Sequence, residues 1–222
     1  VIQGDTLAAY CATARDTGCA LVLDEFYSHF IYDGDDPANG PVSAVEFVDD
    51  PGSDPILCID GLTKSFRYPG WRVGWVIAPA AHTPSIRGFH DTLVIQAPTP
   101  LQRAAVALLG LDPSVYDGLR TAYARKRDTL VAALRRAGFG VSPPQGAYYL
   151  FARYRGVPAI GDRSPMAAAL HLIEVIGVAS VPGDNFYTSG TAGDQNLRFA
   201  FCRSLPTLEE AARRLSTLRP ET

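Results

Sequence analysis

Apolar residues recur along this chain in two rhythms. Leu7, Cys11 and Ala14 repeat at helical spacing and predict an opening helix that ends near Gly18. Short unbroken apolar runs follow, and they predict strands near 20–23, 56–60 and 73–78. Ala20, Leu21, Val22 and Leu23 fill both faces of their run, the pattern of a buried parallel strand. Asp33 to Asp54 is rich in Pro, Gly and Asp and reads as a long surface excursion between the first two strands. Pro98 to Leu109 and Pro113 to Ala137 read as helices, the second long and studded with arginine. After Gly138 the pattern changes to strand–helix–strand–strand–helix and closes at Leu218, which suits a small α+β domain.

Composition narrows the class without naming a function. With 222 residues, 47% of them hydrophobic, and a net charge of −3, the chain has ample core and no electrostatic footprint for nucleic acid or membrane. Its longest apolar runs fall far short of a bilayer span. Cys11, Cys19, Cys58 and Cys202 are scattered, with no CxxC pair and no histidine at metal-ligand spacing, so no metal site is expected. Free thiols in a reducing, cytoplasmic compartment are the expectation. No GxSxG, GxGxxG or phosphate-loop motif occurs.

Candidate chemistry gathers at the ends of two apolar runs. Asp24 ends the first, at the carboxyl end where open α/β sheets hold ligands, and Tyr27 follows three positions later. Lys64 follows the second run and the turn Asp60-Gly61-Leu62-Thr63, with Arg72 eight positions further on between Gly70 and Gly74. Of 20 basic residues only Lys64 and Lys126 are lysines, so lysine is not spent on general solubility. Lys126 lies in an arginine-rich helical stretch and reads as solvated. An amine beside a buried strand end loses hydration, which favours its neutral, nucleophilic form. A carboxylate, a phenol, an amine and a guanidinium are what pyridoxal phosphate needs for its ring nitrogen, phenolic oxygen, aldehyde and phosphate. Plainer roles exist for each: Asp24 capping the next turn, Lys64 snorkelling at a sheet edge, Arg67 in place of Arg72. The set, in this order and spacing, outweighs them. Glu25 and His29 read as structural or outward-facing, and Trp71 and Trp75 as core packing.

On these residues the chain resembles the fold-type I pyridoxal phosphate enzymes of the class I/II aminotransferase family, its carboxy-terminal portion in particular. An Asp-x-x-Tyr motif and a lysine followed eight residues later by arginine recur there in this order. PQGAYYLFARY (144–154) resembles the family's entry into its small domain, VPGDNF (181–186) its active-site loop, and QNLRFAFCRS (195–204) the strand whose arginine binds the substrate α-carboxylate. The resemblance implies an α/β fold. Residues 1–111 would be the carboxy-terminal part of a three-layer αβα cofactor-binding large domain with a mostly parallel sheet, 112–137 a bridging helix, and 138–222 a small α+β domain.

It also implies roles. Lys64, Asp24 and Tyr27 would be catalytic and would hold pyridoxal 5'-phosphate together with Arg72; Arg198 would hold the carboxylate of an amino acid or keto acid. Many relatives carry a phosphate-binding serine three residues before the lysine, where this chain has Gly61, so Thr63 or Ser65 would substitute. Tyr148, Tyr149 and Phe186 would shape the substrate pocket, with core packing the expected job of at least one. Family members extend further at the amino-terminal side, and the chain, which opens on Val1, is expected to be part of a longer homodimeric enzyme. Aminotransfer is the leading expectation. A lyase or a cyclase resembling capreomycidine synthase is the second, and a third is a ligand-sensing domain of a transcription regulator.

Overall fold

The opening periodicity forms α1 (Gly4–Thr17), which buries Leu7, Cys11 and Ala14 on one face. Gly18 closes it at φ 66°, a backbone position that costs glycine little. The computed structural model describes residues 1–2, 4–32, 43–188 and 193–218. The chain divides into two compact units, Val1–Arg120 and Thr121–Thr222.

In the first unit, three apolar runs become β1 (Leu21–Asp24), β2 (Ile56–Gly61) and β3 (Gly74–Ile77). β1 pairs with β2 in parallel, Asp24 opposite Ile59, and β2 pairs with β3 antiparallel, Gly61 opposite Gly74. α1 supplies Leu7 and Cys11 to a cluster with Ala44, Ile56 and Cys58, against which Leu21 and Leu23 pack. A second cluster joins Leu62, Val73 and Ala105, with Trp71 and Trp75 packed on it as expected of core tryptophans.

One expectation is corrected here. β1 is not buried on both faces: its residues alternate, and Val22 is 56% exposed. Among the described residues only the face bearing Leu21 and Leu23 is built into a core cluster, so an unbroken apolar run did not guarantee two covered faces.

Part of the 33–54 excursion, residues 33–42, lies outside the described residues. The rest is tied down. Ala44–Phe47 forms a single 3-10 turn capped by the Ser43 side chain. Arg15 on α1 donates to Asp54 at 3.0 Å and to the Phe47 carbonyl, and it pairs with Asp49 at 3.1 Å. That bond to Arg15 holds the Asp54 carboxyl below the ordinary carboxylate range.

α2 (Thr83–Leu93), α3 (Thr99–Leu109) and α4 (Ser114–Arg136) follow, and the division between the units falls within α4. α2 was not foreseen in the hydrophobic pattern, and it contains no buried residue. The second unit holds an antiparallel sheet in the order β4-β5-β7-β6, from Gly140–Val141, Tyr149–Arg153, Asn196–Ala200 and Val181–Pro182. Leu150, Ala152, Leu197 and Phe199 line its buried face. α5 (Pro165–His171) and α6 (Leu205–Leu215) start at Ser164 and Ser204, whose side chains accept the backbone N–H three residues on.

Candidate active site

Parallel pairing brings the carboxyl ends of β1 and β2 to one edge of the first unit's sheet. Asp24 is the last residue of β1, and the Glu25 N–H extends the ladder to the Ile59 carbonyl at 2.8 Å. Beyond it the chain makes a tight turn, with Ser28 N–H bonded to Glu25 O and Phe30 N–H to Tyr27 O, both at 2.9 Å. Phe30 is wholly buried, and the Glu25 carboxylate accepts from Ser43 Oγ at 2.7 Å and Ala44 N at 2.8 Å. Glu25 is structural, as expected. It anchors the turn from which Tyr27 projects.

Lys64 sits in the turn after β2. Its carbonyl accepts from Arg67 N–H at 3.0 Å, and Nζ lies 5.6 Å from the centroid of the Tyr27 ring. Lys64 as a whole is half-buried. Leu62 N–H bonds to Val73 O at 3.0 Å, continuing the β2–β3 register by one step, so the segments carrying Thr63 and Arg72 leave the ladder side by side. Arg72 adopts a left-handed conformation, φ 52° and ψ 41°, as the residue that closes the short 3-10 turn Pro69–Trp71. One of its guanidinium nitrogens donates to Pro69 O at 2.9 Å. Arg67, its rival, is also left-handed at φ 61°.

Asp24 performs the plainer role too: Oδ1 accepts the Phe26 N–H at 3.1 Å. Its side chain is exposed and the second oxygen has no bond among the described residues. Gly61, where a serine was noted as missing, faces Gly74 across the ladder. A Cβ there would lie 2.7 Å from Gly74 Cα and 2.8 Å from Val73 O, so this backbone has no room for a serine. Of the two substitutes, Ser65 is buried with its hydroxyl 3.0 Å from His29 Nδ1. The Thr63 hydroxyl has no bond among the described residues.

His29 and Ser65 were not foreseen as a pair. Neither was Tyr116, whose ring stacks on His29 at 4.0 Å. The groups at this end of the sheet fit pyridoxal phosphate by chemistry: Lys64 Nζ near the Tyr27 ring, the exposed Asp24 carboxylate at the end of β1, and Arg72 and Thr63 on segments that leave the ladder side by side. No group of three or more metal-ligating side chains occurs among the described residues.

In the second unit, Arg198 on β7 lies opposite Phe151 and Val181. Its guanidinium is held between the Tyr149 and Phe186 rings, 4.5 Å from each centroid. No carboxylate pairs with it among the described residues, an arrangement suited to an incoming anion. Tyr148, by contrast, is only 9% exposed and packs near Tyr123 and Tyr149. Lys126 is not simply solvated: it is half-buried, with Nζ 4.3 Å from the Tyr123 ring centroid.

The fold around this edge is that of the fold-type I aminotransferases. The solved N-succinyldiaminopimelate aminotransferase of Mycobacterium tuberculosis superposes with a TM-score of 0.85 at 28% identity, over 96% of this chain and 53% of that one. A methionine aminotransferase structure from Escherichia coli gives 0.84 at 27% identity, over 98% and 54%. The family model "Aminotransferase class I and II" matches residues 2–215, and the chain belongs to that family.

In sequence, it is 31% identical to the "Probable N-succinyldiaminopimelate aminotransferase" of Mycobacterium tuberculosis, over all of this chain and 56% of the relative. It is 29% identical to the kynurenine–oxoglutarate transaminase of Dictyostelium discoideum, over 90% and 48%. The chain thus spans about half the length of these relatives. Each is named an aminotransferase, and none of them supports the lyase, cyclase or sensor alternatives. Pyridoxal phosphate is the general cofactor of the family, amino and keto acids its substrates, and dimers its usual assembly.

Proposed function

We propose that this chain is the carboxy-terminal portion of a pyridoxal phosphate-dependent aminotransferase that moves an amino group between an α-amino acid and a 2-keto acid. The observation that carries the proposal is the shared sheet edge: Asp24 ends β1, and the turn after the parallel β2 sets Lys64 Nζ 5.6 Å from the Tyr27 ring. When bound, the cofactor supplies an aldehyde for amine exchange and a protonated ring that withdraws electrons from the substrate carbon.

In this reading Lys64 Nζ would hold the cofactor through its aldehyde carbon and would move the proton at the substrate α-carbon. The Asp24 carboxylate keeps the ring nitrogen protonated, and the Tyr27 phenol donates to the ring oxygen. Arg72 and Thr63 hold the phosphate. Arg198 takes the substrate carboxylate, its planar guanidinium already oriented by two aromatic rings.

We further propose that residues 1–111 belong to the cofactor-binding large domain, 112–137 to a bridging helix and 138–222 to the small domain; the division inside α4 supports this. A cytoplasmic location is supported by four cysteines that are all free, one of them exposed. No helix among the described residues is long and apolar enough to cross a membrane. A homodimer is supported by Phe89, Leu93 and Ile95, which are 72%, 78% and 73% exposed.

The deciding experiment is borohydride reduction of the protein with pyridoxal phosphate, followed by peptide mass mapping. The pyridoxyl group is expected on Lys64. An adduct on Lys126 alone, or on neither lysine, would sink the reading.

A further inference from the structure

The two loops at the sheet edge touch through two adjacent pairs. Tyr27 meets Lys64, and two residues on, His29 meets Ser65. His29 Nδ1 lies 3.0 Å from Ser65 Oγ and 3.2 Å from Ser28 Oγ. The imidazole ring stacks on Tyr116 at 4.0 Å and 27°, and Phe66 meets the same tyrosine edge-on at 5.9 Å. Residues 65 and 66 are therefore both fastened to one His29–Tyr116 stack, immediately after Lys64.

Each loop is also fastened within its own segment. The 25–30 turn is fixed by buried Phe30 and by the bonds of Glu25 to Ser43 and Ala44. The lysine turn starts from wholly buried Leu62, bonded to Val73 O at 3.0 Å, and closes through Arg67 N–H to Lys64 O at 3.0 Å and Tyr68 N–H to Leu62 O at 3.2 Å. A long amine side chain on such a turn loses much conformational freedom when it is aimed at one point. An anchor one residue away removes part of that cost in advance.

Packing alone does not account for a histidine here. Burial pushes its pKa down, so the ring is held neutral at a desolvation cost that an apolar ring would not incur.

We propose that His29 is a positioning residue for Lys64: through its Nδ1–Ser65 hydrogen bond it holds the lysine turn against the turn that carries Tyr27. Only the link to cofactor capture rests on the functional reading above.

The test exploits the second lysine as an internal reference. Reductive methylation with formaldehyde and cyanoborohydride is followed by mass mapping, and the ratio of Lys64 to Lys126 labelling is read. His29→Phe keeps a ring on Tyr116 but removes Nδ1; Ser65→Ala removes the other partner. Each is expected to raise the ratio by roughly threefold or more, and the double variant by no more than either single one, because one contact is lost in all three. His29→Asn, which returns a polar atom near the Nδ1 position, is expected to restore the ratio while leaving the thermal midpoint of His29→Phe unimproved.

An unchanged ratio in both single variants, effects that multiply in the double variant, or failure of the asparagine rescue would overturn the proposal. The pyridoxal phosphate concentration for half-maximal borohydride trapping on Lys64 should rise by a similar factor in His29→Phe. Absence of trapping in the wild type would defeat the aminotransferase reading, while the labelling ratio would still decide the role of His29.

Discussion

Replacing Asp60 by asparagine is expected to stabilise the first unit at neutral pH and to flatten its stability profile between about pH 4 and pH 6. Asp60 sits on β2, one residue before Gly61, whose N–H its Oδ1 accepts at 2.6 Å. Burial pushes its carboxyl up to about 6; the Gly61 bond works against that, and the nearby Glu25 and Asp24 carboxylates add to it. The folded state therefore holds this proton more tightly than the unfolded chain does. The resulting stabilisation is fully present below the unfolded carboxyl pKa of about 3.9 and is lost as pH rises through about 6.

A shift of this size would correspond to about 3 kcal/mol for a fully buried group, and partial exposure of Asp60 reduces it to on the order of 1–2 kcal/mol. Asparagine keeps an oxygen for the Gly61 N–H and removes the charge. Any penalty for its amide is the same at every pH, so the slope is the readout. Both tryptophans, Trp71 and Trp75, lie in the first unit, so urea denaturation followed by their fluorescence reports on that unit. The gap in unfolding free energy between variant and wild type should widen from pH 4 to pH 7 and then level off. A gap constant across that range, or one that narrows as pH rises, would refute the argument.

Asp24→Asn is expected to retain the cofactor and the cap on Phe26 N–H but to lose turnover by about a hundredfold or more, since an amide cannot hold the ring nitrogen protonated. Near-normal steady-state rates in a keto-acid assay would make Asp24 a cap and nothing else. Gly61→Ser should cost about 1–3 kcal/mol in urea denaturation, because its Cβ meets backbone on the facing strand at 2.7 and 2.8 Å; an unchanged midpoint would mean the β2–β3 approach yields easily. Phe186→Leu removes one of the two rings flanking Arg198, and the KM for the amino acid should rise about two- to fivefold with kcat little changed, the equivalent of about 0.5–1 kcal/mol. A fall in kcat at constant KM would place Phe186 elsewhere in the reaction.

What the sequence made legible, and what it did not, divides by the range of the interaction. β1, β2 and β3 were readable because each is a local apolar run. Asp24 was readable because a polar switch ends such a run, and the structure sets it at the end of β1. α2 was not foreseen although Ile86, Phe89 and Leu93 recur at helical spacing in its sequence; in the structure Phe89 and Leu93 stay exposed.

The same locality explains the miss at β1. An unbroken run predicts two covered faces, yet covering a face depends on another element arriving there, which four consecutive residues cannot encode. At the site, the four cofactor-facing types could be collected from spacing, but the His29–Ser65 bond spans 36 positions and Tyr116 joins from the start of α4. Taken singly, His29 and Ser65 are ordinary residues of ordinary turns; parallel pairing of β1 with β2 makes them neighbours. Arg198 follows the same logic. Taken alone a strand arginine is unremarked, and Arg198 was a candidate only through the family resemblance; the sheet register then sets Phe151 opposite it, with Tyr149 and Phe186 on either side of its guanidinium. Chemistry carried by residue type was visible early, whereas chemistry carried by orientation depended on the register.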